Sequence, residues 1–320
     1  MSPRKVTRRT ALIIALVALL VPAIAAAAWI AAPEEVELPV IPPVATVPED
    51  APQPQPEPAP HSGRLSAAEQ RSLTAAVNDV EASASEAELA AEGRLLFRSV
   101  DVAKDGESCQ SCHTEGGANP ALGTTPHPTF AGDFIGPRDP PSLWGVADTA
   151  PYEWDGSVAT LDAMVGATID NHFKPERSDD QGEVARQTAA LVAYLRTLDP
   201  PRTAFDRGRM SEAAQRGEEL FVGKAGCIAC HGGPLFTDNA LHDNDVPQMP
   251  GANDPGAKNP PGAFNTPQLR DLVNSAPYMH NGSLRTLREV VEFYDHESSL
   301  PALNLTQDEV DDLVEYMEAL

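Results

Sequence analysis

Apolar residues recur at helical spacing near the end of two long stretches of the chain. With one threonine, they form one face of each predicted helix: Val184, Thr188, Leu191, Val192 and Leu195 in the first, and Val310, Leu313, Val314 and Met317 in the second. Capping boxes mark helix starts at Ser66–Glu69, Ser85–Glu88 and Thr306–Glu309. The stretches between the helices are rich in Gly and Pro and show no clear strand alternation. The pattern therefore predicts an all-α chain with long loops.

The N-terminal pattern is different. Basic residues at positions 4, 5, 8 and 9 precede an apolar run from Ala11 to Ala32, which is typical of a signal peptide or a membrane anchor. Residues 33–63 are rich in Pro and predict an extended linker. We therefore expect residues 1–32 to direct export, so that the rest of the chain is periplasmic. It is then either tethered by this segment alone or released after cleavage.

Four sequence features recur in the same order, 118 to 126 positions apart. They are a helix segment (93–97 and 217–221), a Cys-x-x-Cys-His motif (109–113 and 227–231), a segment from Pro-x-Leu to Gly-Ser (141–157 and 267–283), and a closing helix segment (193–195 and 315–317). Such self-similarity predicts two copies of one domain. We place the N-terminal copy, with the helix before it, at 64–206 and the C-terminal copy at 207–320.

The Cys-x-x-Cys-His motif predicts the chemistry. Its two thiols bond a c-type haem covalently, and its histidine ligates the iron. A zinc site or a redox dithiol would leave the histidines unexplained. The chain has 4 cysteines, and the two motifs use all of them. Two c-type haems in two cytochrome c-like domains are therefore predicted, held by Cys109, Cys112 and His113 and by Cys227, Cys230 and His231.

The composition agrees with two haem-centred cores. Aromatic residues make up only 5% of the 320 residues, which is little for two cores unless a porphyrin supplies flat apolar bulk. We therefore expect residues 84–320 not to fold stably without haem. The formal net charge of −24 argues against a nucleic-acid partner and favours a basic redox partner, such as a small c-type cytochrome.

With these motifs, the chain resembles the bacterial di-haem cytochrome c peroxidase and MauG family over about residues 84–320. The other segments that carry the resemblance are Pro140–Leu143, Trp154–Gly156, Thr266–Arg270 and Ala276–Ser283. It implies an all-α fold in which the N-terminal haem meets peroxide and the C-terminal haem receives or stores electrons. It also implies that Trp154 lies between the haems and relays electrons.

The second ligand of the C-terminal iron stays open at this stage. Family peroxidases carry Met at the position that corresponds to Tyr294, whereas MauG-type enzymes carry Tyr. A phenolate ligand would favour Fe(III) and lower the reduction potential. Met279 and His296 are rival ligands, and the alternative role for Tyr294 is a core aromatic on its helix.

The peroxide side of the N-terminal haem departs from the family pattern. The family's distal histidine falls on Ala131, and its catalytic Gln and Glu fall near Met164 and Lys174. Glu176 and His172 are therefore the expected acid–base residues for cleaving the O–O bond. If His172 instead ligates the iron permanently, peroxide cannot bind and the protein is an electron carrier. The third alternative is that His172 is a solvated surface histidine without a role at the haem.

The resemblance also implies a calcium ion between the haems. Its ligand positions correspond to Asp139, Ser275 and Pro277, the last two through main-chain carbonyls. Oxygen ligands of this kind suit Ca²⁺.

The leading hypothesis is an exported di-haem oxidoreductase that reduces hydrogen peroxide. Tyr294 favours an alternative, the peroxide-dependent oxidation of a protein or organic substrate. A non-enzymatic electron-transfer cytochrome is the competing class. The expected partners are hydrogen peroxide, a small redox protein such as a c-type cytochrome, and a second copy of the chain in a homodimer.

Overall fold

The computed structural model of the chain describes residues 65–100, 106, 108–118, 138–172, 180–248, 254, 256–298 and 300–320. The predicted export segment and linker lie outside this part. None of the described helices is long and apolar enough to cross a membrane.

The first copy is a helical bundle built around its last helix. Its helices are α1 (Ala67–Ser83), α2 (Glu86–Arg98), the single turn α3 (Cys109–Cys112), α4 (Leu161–His172) and α5 (Gln181–Leu195). Helices α1, α2 and α4 each pack against α5. The predicted apolar face of α5 is buried throughout, at Val184, Thr188, Leu191, Val192 and Leu195.

The second copy repeats this arrangement with fewer helices. They are α6 (Glu212–Val222), α7 (Leu287–His296) and α8 (Gln307–Ala319), and α8 packs against both others. A short antiparallel pair joins β1 (Leu241–His242) and β2 (Phe264–Asn265), with Leu241 opposite Asn265. Single 3₁₀ turns lie at 114–116, 146–148, 227–229 and 272–274. The all-α prediction is confirmed, with this strand pair as a small addition in the described part.

Three of the helix starts follow the predicted capping boxes. The hydroxyls of Ser66, Ser85 and Thr306 accept the N–H of the glutamate three residues later, and each glutamate carboxylate accepts the cap residue's own N–H. Thr286 begins α7 in the same way, a start that the sequence analysis did not single out. Local hydrogen bonding thus determines where these four helices begin.

In each copy two helices cross at a glycine. A Cβ atom added at Gly93 of α2 would lie 1.9 Å from the main-chain oxygen of Ala190 in α5. One added at Gly217 of α6 would lie 2.0 Å from the main-chain oxygen of Asp312 in α8. Only glycine permits so close an approach of two backbones, which explains why both copies keep it.

An aromatic pair lies beside each crossing. Phe97 meets Tyr194 edge to face with ring centroids 5.2 Å apart. Phe221 meets Tyr316 in the same way at 5.3 Å. This geometry suits the opposite charges of ring face and ring edge. The two copies therefore share the same packing of helices and aromatic rings as well as the same sequence pattern.

We expect Gly93→Ala and Gly217→Ala each to lower the free energy of unfolding by about 1–3 kcal/mol, because the new methyl group overlaps a carbonyl of the facing helix. The measurement is chemical denaturation of the haem-loaded protein. Gly182→Ala, in the first turn of α5, is the matched control, since its Cβ would meet only Asp180 Oδ1, at 3.3 Å. Equal stability of the Gly93 and Gly182 variants would contradict this account of the crossing.

Candidate functional site

Both Cys-x-x-Cys-His motifs fold as one tight helical turn. Cys109 and Cys112 are three residues apart in α3, so their side chains emerge on one face. Cys227 and Cys230 span the 3₁₀ turn 227–229 in the same manner. In each copy the main-chain N–H of the histidine donates to the carbonyl of the first cysteine, at 2.8 Å. Both thiols and the imidazole are thereby presented from one short segment.

The histidine rings are held by main-chain carbonyls. His113 Nδ1 lies 3.0 Å from the carbonyl oxygen of Pro141. His231 Nδ1 lies 2.9 Å from that of Phe236. Because a carbonyl can only accept, Nδ1 carries the proton and Nε2 keeps its lone pair for a metal. Burial also lowers the pKa of His231, which favours the neutral form that a metal ligand requires.

Cys109 and Cys227, the first thiol of each motif, pack against the hydrophobic core of their own copy. Burial raises the pKa of Cys109 and of Cys227 to about 11, and it also raises the pKa of Cys230. All four cysteines are partly buried and none forms a disulfide. Paired thiols followed directly by an imidazole whose Nδ1 is bound to a carbonyl fit a covalently held haem, so the donor set agrees with one c-type haem in each copy.

The two copies contact each other through equivalent residues, 126 positions apart. The N–H of Asp139 donates to the carbonyl of His280 at 3.1 Å, and the N–H of Asn265 donates to the carbonyl of Trp154 at 2.7 Å. Asn265 is the counterpart of Asp139, and His280 is the counterpart of Trp154. The contact is therefore reciprocal, like that across a two-fold axis.

Trp154 lies at the centre of this contact. Its indole Nε1 donates to the main-chain oxygen of Asp139 at 3.1 Å. Its ring meets that of His280 edge to face, with centroids 6.4 Å apart. The half-buried indole is thus held by one copy and packed against the other.

His280 is a neutral ring inside this contact. It stacks on Phe264 with centroids 3.6 Å apart, and burial followed by the charge of Arg138 lowers the pKa of His280 to about 3. Arg138 of the first copy pairs with buried Asp254 of the second at 2.6 Å. Its guanidinium carbon lies 5.7 Å from the centre of the Phe264 ring. The ring that packs on Trp154 is therefore a neutral imidazole, and a buried ion pair lies against the Phe264 ring on which this imidazole stacks.

Tyr294 lies close to the second haem motif. Its phenol oxygen accepts a hydrogen bond from Asn244 Nδ2 at 2.8 Å. Burial raises the pKa of Tyr294 to about 12, the Asn244 bond opposes this, and Cys227 and Cys230 are near enough to add to the rise. The rival His296 lies at the end of α7 with its side chain 65% exposed. Met279 is half-buried in a left-handed backbone conformation with φ 70°.

Asp139 is a buried carboxyl group. Burial raises its pKa to about 8. Its counterpart in the repeat, Asn265, donates Nδ2 to the carbonyl of Pro151 at 2.6 Å, and the repeat relates that pair to Asp139 and Pro277. Ser275 and Pro277 are half-buried in the same segment as Tyr278, and Asp139 is near enough to Tyr278 to raise its pKa.

Several predicted residues of the peroxide side fall outside the described part. They are Ala131, Lys174 and Glu176, together with the side chain of His172, whose backbone ends α4. Met164 is described and packs against the first hydrophobic core. The roles predicted for Glu176 and His172, like the ligand roles of Tyr294 and Met279, stay predictions.

Sequence reasoning missed Asn244, Phe264, His280 and the pair Arg138–Asp254. A signal existed for His280, because it follows Trp154 by the repeat distance of 126 residues. The others are joined by side-chain contacts between residues 16 to 126 positions apart, which no local sequence pattern indicates.

Comparison with known proteins agrees with this geometry. A family model described as di-haem cytochrome c peroxidase matches residues 85–187, and one described as cytochrome c matches residues 214–320. The cytochrome-c peroxidase IdrP1 of Denitromonas iodatirespirans is 32% identical over 311 residues, covering 73% of this chain and 81% of the relative. The methylamine utilization protein MauG of Methylorubrum extorquens is 32% identical over 287 residues, covering 73% and 78%.

The solved structures share the fold. The diheme peroxidase BthA of Burkholderia thailandensis superposes with a TM-score of 0.58 at 22% identity, covering 73% of this chain and 86% of that one. A MauG-like protein associated with microbial copper homeostasis gives a TM-score of 0.57 at 22% identity, covering 73% and 88%.

Proposed function

The chain belongs to the di-haem cytochrome c peroxidase family, and on that premise we propose that it is an exported enzyme that reduces hydrogen peroxide to water. Each turnover consumes one peroxide, two protons and two electrons and yields two waters. The electrons come from a small redox protein and pass between the two haems. The net charge of −24 favours a donor with a basic surface.

The observation that carries this proposal is the position of Trp154 between the copies. Its indole is bonded to Asp139 of its own copy and packs on His280 of the other. An oxidisable ring shared by two haem domains supports electron transfer between them. The same contact would serve an electron carrier with coupled haems, which the spectra of the wild-type protein separate from the enzyme.

The haem irons supply the redox chemistry that side chains lack. His113 and His231 each keep Nε2 available for iron, because Nδ1 is bound to a carbonyl. Trp154 Nε1 also donates to a carbonyl, which cannot take up a proton, so the indole keeps its proton when it gives up an electron. His280 beside it is neutral, since its pKa is lowered to about 3, and adds no positive charge that would oppose this step.

We expect Trp154→Phe to reduce peroxide turnover with a reduced c-type cytochrome by about tenfold or more, because the ring that accepts and passes on an electron is replaced by one that is harder to oxidise. Tyr152→Phe, two residues before Trp154, is the control, since it removes only a hydroxyl that donates to the carbonyl of Val146. The measurement is steady-state oxidation of the cytochrome.

Spectra of the wild-type protein separate this proposal from its rivals. Two low-spin, six-coordinate irons that peroxide leaves unchanged after partial reduction would exclude both enzymatic functions. Fast turnover with the cytochrome supports the peroxidase. Turnover in Trp154→Phe equal to that in Tyr152→Phe would reject the relay role of Trp154 and, with it, the observation that carries this proposal.

The phenol of Tyr294 favours a second candidate function, the peroxide-dependent oxidation of a protein or organic substrate. A phenolate ligand lowers the haem potential, and the Asn244 amide is positioned to donate to the phenolate oxygen. A long-lived oxidised state of the protein, formed with peroxide but turned over slowly by reduced cytochrome, would support this candidate.

We expect Tyr294→Phe to change the optical and EPR spectra of the C-terminal haem and to raise its reduction potential, because an anionic oxygen ligand is lost. Tyr278→Phe is the matched control, since the Tyr278 hydroxyl donates a hydrogen bond to the carbonyl of Leu272 and is not a predicted iron ligand. Unchanged spectra in Tyr294→Phe would reject Tyr294 as a ligand.

A calcium ion fits the surroundings of Asp139. The counterpart Asn265 donates Nδ2 to a carbonyl that the repeat relates to the carbonyl of Pro277. An ionised Asp139 in the equivalent place would have no proton to donate to that carbonyl and would need a cation between them. Asp139 with the carbonyls of Ser275 and Pro277 would hold Ca²⁺ through oxygen alone. Such an ion would neutralise the buried carboxylate and join the two copies beside Trp154.

We expect chelated wild-type protein to rebind Ca²⁺ and Asp139→Ala to bind it about tenfold or more weakly, because the charged ligand is gone. Asp139→Asn retains an oxygen ligand, so we expect its affinity for Ca²⁺ to lie between those of the wild type and Asp139→Ala. Asp148→Asn, at an exposed site, is the control, and titration calorimetry is the measurement. Equal affinity in Asp139→Ala and the wild type would contradict the site.

A further inference from the structure

Two buried nitrogen donors occupy equivalent positions in the two copies. Trp144 Nε1 and Arg270 Nε are both shielded from solvent, and the described part of the chain offers neither of them an acceptor. The two residues are 126 positions apart, the same offset that relates Trp154 to His280. A buried N–H without an acceptor is costly and therefore rare in folded proteins. Arg138 Nε is a further buried nitrogen without an acceptor in the described part, but its counterpart in the repeat is a phenylalanine, whose side chain has no donor. The recurrence of such an N–H at one place of the repeat points to an acceptor that each copy obtains from outside the described residues.

In the first copy this donor lies next to the haem-binding segment. The carbonyl of Pro141 accepts from His113 Nδ1, and the N–H of Leu143 donates to the carbonyl of Gly116 at 2.8 Å. Trp144 follows directly. Its Nε1 lies 3.1 Å from where a Cβ of Gly117 would be, so the indole edge lies against the chain four residues after the iron ligand.

In the second copy the donor belongs to a buried arginine. Arg270 is only 6% exposed, its Nη2 pairs with Asp206, and its Nη1 reaches the carbonyl of Pro234 at 3.5 Å. The segment before it lies beside the iron ligand, because the carbonyl of Pro267 contributes to the pKa of His231. Nε is the one part of this guanidinium that has no acceptor.

We propose that Trp144 Nε1 and Arg270 Nε each donate a hydrogen bond to a propionate carboxylate of the haem held by their own copy. Haem carries two such carboxylates, and a buried carboxylate needs hydrogen-bond donors. The inference rests on the presence of the two haems and not on the reduction of peroxide. It assigns a neutral donor to the N-terminal haem and a cationic donor to the C-terminal haem.

The difference in charge makes the proposal testable haem by haem. A donor that draws negative charge away from the porphyrin stabilises the reduced iron. Trp144→Phe should therefore lower the midpoint potential of the N-terminal haem and leave the other unchanged. Arg270→Gln should lower the potential of the C-terminal haem by a larger shift, because a positive charge is also lost. Arg270→Lys keeps the charge and should recover part of that shift.

The experiment is spectroelectrochemical titration of the full, haem-loaded protein, together with resonance Raman spectra of the propionate bending bands. These bands respond to hydrogen bonding at the carboxylate, which a loss of packing alone does not change. Leu143→Met and Leu269→Met, one residue earlier in each copy, are the matched packing controls. We expect shifted bands in Trp144→Phe and Arg270→Gln and wild-type bands in both controls.

Bands and potentials that match the wild type in Trp144→Phe and Arg270→Gln would overturn the proposal. So would a shift of both haems by either variant. A crystal structure of the wild-type holoprotein decides the question without any variant. Trp144 Nε1 and Arg270 Nε within hydrogen-bond distance of a propionate oxygen support the assignment, and a different acceptor at both atoms refutes it. Normal peroxide turnover alongside either result keeps this inference separate from the proposed function.

Discussion

The hydrogen bond from each imidazole Nδ1 to a main-chain carbonyl is the interaction on which the rest of the structure depends. It fixes the tautomer and leaves Nε2 for iron. In the first copy it also joins His113 to Pro141, 28 positions away, and so ties a Gly- and Pro-rich stretch to the haem motif. Loops of that length are uncommon in a compact domain. The bond therefore holds Pro141 beside His113, although most of the residues between them lie outside the described part.

The contact between the copies depends on main-chain hydrogen bonds and not on the haem motifs. Two main-chain hydrogen bonds, from Asp139 to His280 and from Asn265 to Trp154, hold it in register. The side chains at those four positions then differ between the copies. Tryptophan faces histidine and aspartate replaces asparagine, so a nearly symmetric frame presents an asymmetric set of groups to the two haems.

Features that depend on neighbouring residues were predictable from the sequence. The capping boxes at Ser66, Ser85 and Thr306 determine helix starts within four residues. The apolar face of α5 is recognisable in the sequence because its residues recur at helical spacing. The repeat also predicted two helical haem domains. By contrast, the Asn244–Tyr294 bond and the Arg138–Asp254 pair join residues 50 and 116 positions apart. Nothing in either local segment specifies its partner, because only the folded backbone brings them together.

The reciprocal backbone contact has a consequence for how such a protein diverges after gene duplication. Mutations change side chains but leave peptide N–H and carbonyl groups in place, so the two halves remain matched while their sequences drift apart. Selection can then specialise one half without redesigning its fit to the other. The difference between Trp154 and His280, at equivalent positions of one reciprocal contact, is what such freedom permits.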